Sequence, residues 1–95
     1  MHIISRKKLL LFSEHHADSK TALDAWYRTT KTAKWQNLVD LREVYPSADS
    51  VGVYTVFNIK GNRYRLIAEI NYRSSTIFVR EILTHAEYDK ERWKK

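Results

Sequence analysis

Cysteine is absent from this sequence. Disulfide staples, thiolate metal sites and cysteine nucleophiles are excluded with it. Glycine occurs twice and proline once, so the chain has neither a glycine-rich loop to cradle a nucleotide nor a GxSxG elbow for a serine nucleophile. Long apolar runs are missing too. The run at residues 9–12 is too short for a secretory signal, and no small-residue cleavage site follows it. Nothing approaches the length of a membrane-spanning helix. The expected location is the cytoplasm, with no membrane partner. Internal repeats and low-complexity segments are also lacking.

What is present suits one folded domain over residues 1–95. The hydrophobic fraction is 43% and the aromatic fraction 13%, enough for one packed core and too much for a disordered basic tail. Seventeen Lys and Arg against eleven Asp and Glu leave a net charge of +6. That balance favours a polyanionic partner, with nucleic acid first and an acidic protein second.

Residues 56–89 organise the chain. A strand is predicted over 54–60, and Gly61-Asn62 after it is a pair that tolerates the positive φ of a tight hairpin loop. The second strand, 63–72, alternates: Tyr64, Leu66, Ala68, Ile70 and Tyr72 face one way, and Arg63, Arg65, Ile67, Glu69 and Asn71 the other. Arg73-Ser74-Ser75 turns the chain into a third strand over 76–83, with Ile77, Val79 and Leu83 toward the core and Phe78, Arg80 and Ile82 on the arginine side. Thr84 and Glu87 have capping-box spacing at the start of a last helix.

Before this unit the pattern predicts a short edge strand over 2–5 and a helix over 6–16. A second helix, capped by Asp18 or Ser19, runs to about Thr30 with Ala22, Leu23, Trp26 and Tyr27 as its buried stripe. A basic linker spans 28–34, a third helix 35–44, and a loop 46–52. Helices segregated from hairpin-linked strands give an α+β fold: helices on one face of a small, mostly antiparallel sheet, with a C-terminal helix. The face carrying Arg63, Arg65 and Glu69 is left for solvent or ligand.

Arg65 is then either a solvated charge or a phosphate clamp, since a guanidinium matches phosphate with two parallel hydrogen bonds. Arg63 and Arg80 share its side, and Lys60 lies across the turn. His85, at the first position of the last helix, is a residue type that takes and gives protons near neutrality. Alternatively it is a surface histidine. Tyr88, three residues on, shares its helical face, or packs the helix on the sheet. His15-His16 has no ligand partner at metal-binding spacing, and no metal is expected. Trp35, Tyr72 and Trp93 are aromatics that either stack on bases or fill the core.

The segment VFNIKGNRYRLIAEI, followed by IFVREILTHAEYD, resembles the HigB-type toxins of bacterial toxin–antitoxin modules. These belong to the RelE-like superfamily of small toxins that cleave messenger RNA. LREVYP and the loop after it share the likeness, which covers most of the chain. The resemblance implies a RelE-like α+β domain, an endoribonuclease acting on messenger RNA at the ribosome, and a neutralising HigA-like antitoxin of helix-turn-helix type. Arg65 resembles the superfamily's strand arginine at the scissile phosphate, and Tyr88 the aromatic near the C-terminus that packs on substrate or assists the chemistry. His85 falls where relatives place an arginine or histidine, and Lys60 matches a basic residue before the arginine strand.

In such a reaction the RNA 2′-hydroxyl attacks the adjacent phosphate. Arg65 with Arg80 or Arg63 stabilises the charge, which is usually the largest single contribution. The base is open between His85 and Glu69 or Glu81. Lys60, Arg63 and Arg73 are assigned to the RNA backbone, and no metal or cofactor is required. The competing reading is a non-catalytic RNA- or ribosome-binding module held by the same basic face.

Overall fold

A computed structural model describes residues 1–91 and 93. Ten residues of α1 (Arg6–His15) follow the short strand β1 (His2–Ile4), and a 3-10 turn (Ala17–Ser19) leads into α2 (Lys20–Thr32) and α3 (Leu38–Val44). The strands β2 (Asp49–Val51), β3 (Tyr54–Ile59), β4 (Tyr64–Asn71) and β5 (Thr76–Thr84) come next, and α4 (His85–Asp89) closes the fold. The sheet has five strands in the order β1-β5-β4-β3-β2. All neighbours are antiparallel except β1, which runs parallel to β5. This is the α+β architecture expected from the pattern.

The main core lies between one sheet face and α1 to α3. Leu9, Leu23, Trp26, Trp35 and Leu41 from the helical side meet Phe57, Ile59, Tyr64, Leu66, Ala68, Ile77 and Val79 of the sheet. The stripe on α2 works as predicted, but the helix runs through the supposed basic linker to Thr32. Thr30 is fully buried there, its hydroxyl 3.3 Å from that of Tyr45. Neither Asp18 nor Ser19 caps α2 through its side chain. Ser19 donates to the His16 carbonyl, and Asp18 is engaged elsewhere. α3 begins later than expected, because Asn37 caps it by accepting from the Asp40 amide. Trp35, just before it, is buried edge-on to Tyr45. The loop after Pro46 contains β2, whose Asp-Ser-Val lacks the alternation that marks a strand.

Two local features re-aim side chains near the far hairpin. In the β3–β4 connection the positive-φ residues are Lys60 (53°) and Gly61 (63°), and Asn62 is not one of them. The last paired residues are Ile59 and Tyr64, so the loop is 60–63, with the Arg63 amide returning to the Lys60 carbonyl. Arg63 therefore belongs to the loop. The second feature is a bulge. Ala68 pairs with Val79 and Ile67 with Glu81, leaving Arg80 as an extra residue on β5. Beyond a bulge the alternation reverses. Ile82 thus joins the helical core opposite Leu66, and Leu83 stands opposite Arg65 on the other face. The sequence pattern gave these two the reverse assignment.

The second face is not open. Val56 and Ile67 are buried on it, outside the main core cluster. α4 lies over this face, and Trp93 reaches Tyr54 on β3, ring centres 5.9 Å apart.

Candidate active site

Arg65 sits beneath α4, at the end of β4 that adjoins the loop. It is a buried residue, 8% exposed, and so not the solvated charge that was one of its two readings. Three contacts hold its guanidinium. One terminal nitrogen donates to the carbonyls of Asn62, at 3.0 Å, and Tyr64, at 3.2 Å. The other donates to the Asn62 side-chain oxygen. Above it lies the Tyr88 ring, centred 5.4 Å from the guanidinium carbon. A buried cation is tolerable only when its donors are met, and this one is fixed in direction by the loop that precedes it.

α4 is placed by both of its ends. Thr84 and Glu87 make the full capping box predicted for them. The His85 amide also donates to the Arg63 carbonyl at 3.1 Å, tying the helix start to the β3–β4 loop. The His85 Nδ1 lies 2.9 Å from a carboxylate oxygen of Asp89, one helical turn on. Tyr88 stacks on Trp93, ring centres 5.0 Å apart and 16° from parallel, and the Trp93 indole N–H donates to the Tyr88 carbonyl. Beside these residues a cleft of about 300 Å³ is lined by Glu81, Leu83, Glu87, Lys90 and Trp93.

The other candidates divide sharply. Lys60 and Arg63 stand close by, but both reach Asp18 of the 3-10 turn, at 3.4 and 2.6 Å. Asp18 also accepts from the Tyr64 hydroxyl. That bond first, then Arg63, holds the Asp18 carboxyl at about 2, and Asp18 in turn pushes the Tyr64 hydroxyl up. Arg80 lies three positions from Leu83, about 10 Å along the strand from the Arg65 pair. It is bound to Glu69 at 2.9 Å and stacked over Phe78. Glu69 is thereby committed to Arg80, whereas Glu81 faces the cleft. Arg73 occupies the β4–β5 turn at the opposite end of the sheet, about 20 Å from Arg65.

His16 stacks on Phe12 with its Nδ1 buried. Among the described residues no cluster of three or more His, Asp or Glu is arranged for a metal ion, and no helix is long and apolar enough to cross a membrane.

The site roles of Asp18, read from the sequence as a helix cap, of Asn62, read as a turn residue, and of Asp89 were not foreseen. Asp89 carried a signal, its spacing of four from His85. Asn62 lies three residues from Arg65, but only the turn geometry aims it there. Asp18 is 46 residues from Tyr64 and gave none.

The α+β fold is consistent with the class of RelE-like toxins. Residues 19–91 match the family described as HigB_toxin, the RelE-like toxic component of a toxin–antitoxin system. The chain belongs to that family. It is 34% identical over 92 residues to the mRNA interferase toxin HigB of Escherichia coli K12, covering 94% of this chain and 88% of that protein. The same figures hold for the mRNA interferase HigB of Shigella flexneri. An mRNA interferase HigB of Escherichia coli O6:H1 is 32% identical over 93 residues, 95% of this chain and 90% of the relative.

Proposed function

We propose that this protein is the toxin of a toxin–antitoxin pair and an endoribonuclease that cleaves messenger RNA in the cytoplasm, on the ribosome. Its neutralising partner is an antitoxin of the HigA-like, helix-turn-helix kind. The observation that carries the reading is the Arg65 guanidinium, anchored from below by Asn62 and the Tyr64 carbonyl and roofed by Tyr88, with His85 held at the rim by Asp89.

Such a group supports one chemistry. The RNA brings its own nucleophile, the 2′-hydroxyl, which attacks the neighbouring phosphorus and expels the 5′-oxygen of the next nucleotide. The products are a 2′,3′-cyclic phosphate and a free 5′-hydroxyl. Arg65 meets the negative charge that builds on the phosphorane, and as a preset cation it needs little reorganisation to do so. His85 exchanges protons with the attacking and leaving oxygens. A carboxylate at Nδ1 orients the imidazole and leaves Nε2 as the exchanging atom. Glu81, beside the cleft, is the second candidate base. Tyr88 keeps Arg65 aimed and offers its ring edge to a base. Lys60 and Arg63 meet the RNA backbone once phosphate competes with Asp18 for them.

Induced expression with mapping of messenger-RNA 5′ ends tests this. The wild-type chain should arrest growth and produce new 5′-hydroxyl ends, and Arg65→Lys should produce few or none. Normal growth and intact transcripts at verified protein levels overturn it. Ribosome association without new ends favours a non-catalytic binding module.

A further inference from the structure

Near Arg65 the loop cations Lys60 and Arg63 share one carboxylate, that of Asp18, and Arg80, about 10 Å along the strand, is paired with Glu69. The opposite end of the sheet is different. There a groove of about 990 Å³ runs between the α2 C-terminus with the segment after it and the β4–β5 turn. Lys31, Lys34 and Arg73 line it, with Trp35 and Tyr72 in its walls, and no acidic residue lines it. None of the three cations has a carboxylate within ion-pair distance among the described residues. Arg6 extends the stripe. Its guanidinium lies 4.7 Å from the centre of the Tyr27 ring, and the Lys31 ammonium lies 5.8 Å from the same centre.

We infer that this groove is a second RNA-backbone contact, separate from the strand being cut, that docks the protein on a structured RNA. The choice of RNA rests on the proposed function, and the position rests on the charges. The groove is about 20 Å from Arg65, beyond the roughly 8–10 Å over which salt lets charges act, so one phosphate cannot serve both places. Protein interfaces are depleted of lysine at their centres, and the exposed apolar residues Leu10, Leu11, Val39, Val44 and Val53 all lie outside the groove. Unpaired lysines and an arginine along a broad channel fit phosphates read without regard to sequence.

The test is binding of a fluorescein-labelled RNA duplex, followed by anisotropy over a range of salt. The variant Lys31→Gln/Lys34→Gln/Arg73→Gln is compared with wild type and with Lys20→Gln, whose lysine is already paired to Asp24. Thermal melts establish that all three fold alike. The triple variant should bind at least about tenfold more weakly at about 0.1 M salt, and its salt slope should fall by about 2 to 3, since each lost phosphate contact removes roughly 0.7–0.9. Lys20→Gln should change neither. A triple variant with wild-type affinity and slope overturns the inference. So does one that keeps RNA binding but loses the antitoxin, which would assign the groove to an acidic protein. Duplex binding lost in the triple variant, with no cleavage even by wild type, would fail the proposed function and leave this contact standing.

Discussion

The Arg65 guanidinium lies 5.4 Å from the centre of the Tyr88 ring, while its nitrogens are held from the other side by Asn62 and the Tyr64 carbonyl. A cation fixed between a carbonyl cradle and an aromatic roof is both a structural and a chemical element. Its two roles separate by substitution.

Arg65→Ala should destabilise the protein by about 1–3 kcal/mol, because it removes three hydrogen bonds to the loop, leaves the buried Tyr64 carbonyl without this donor and empties the space beneath Tyr88. Leu66→Ala and Ile67→Ala, next to it on opposite faces, should each cost about 2–5 kcal/mol, since both sheet faces are covered. Urea melts give the three values. An Arg65→Ala change within ±0.5 kcal/mol of wild type, as for a solvated surface charge, would contradict the buried position. Arg65→Lys should fold better than Arg65→Ala and still lose cleavage, because an ammonium cannot repeat the fork.

Tyr88 offers a ring to Arg65 and to Trp93. Tyr88→Phe keeps that ring and should keep cleavage within about tenfold, whereas Tyr88→Ala should lose far more and lower the melting temperature. A loss of about 10²–10⁴-fold in Tyr88→Phe, the range typical of a proton donor, would move Tyr88 from positioning to acid catalysis.

Asp18 ties the 3-10 turn to the β3–β4 loop through Lys60, Arg63 and Tyr64. Its carboxyl is held at about 2, below the ordinary 3.8. A depressed value in the folded state means that the ionised form favours folding. That contribution is complete above about pH 4 and fades between about 4 and 2 as the carboxylate is protonated. Asp18→Asn should therefore flatten the acid limb of the stability curve in this window. It should also free Lys60 and Arg63 and steepen the salt dependence of RNA binding, by roughly 0.7–0.9 for each cation that gains a phosphate. Identical acid melts for wild type and Asp18→Asn would refute the linkage.

The sequence displayed what depends on short-range pattern. The strand alternation through Leu66, the stripe on α2 and the Thr84–Glu87 capping box are all local, and all appear as expected. What it hid depends on long-range contacts or a single extra residue. The bulge at Arg80 reverses Ile82 and Leu83, and no composition rule marks it. Arg65 read as an exposed charge because the roof over it comes from Tyr88, 23 positions away and beyond a complete strand. The compensation of Lys60 and Arg63 by Asp18 spans more than 40 residues. The alternation therefore pointed to the arginine face as the basic one, while a groove whose three cations have no ion-pair partner among the described residues lies at the other end of the sheet.

The last prediction concerns the pair His85 and Asp89, whose Nδ1 and carboxylate are 2.9 Å apart on the exposed side of α4. If His85 moves the proton, Asp89 acts through it by holding the ring so that Nε2 meets the RNA. Single-turnover cleavage should fall by about 10²–10⁴-fold in His85→Gln, the usual loss for a general acid or base. Its rate–pH profile should lose one ionisation that wild type shows. Asp89→Asn should lose less, because the imidazole is still there but is no longer held by the carboxylate. Both variants should retain RNA binding, since Arg65 and the distant cations are untouched. A purely structural role for Asp89 would change the melting temperature and leave the cleavage rate of the folded protein in place. A His85→Gln protein with wild-type rate and profile would pass the base role to Glu81, which lines the cleft beside α4.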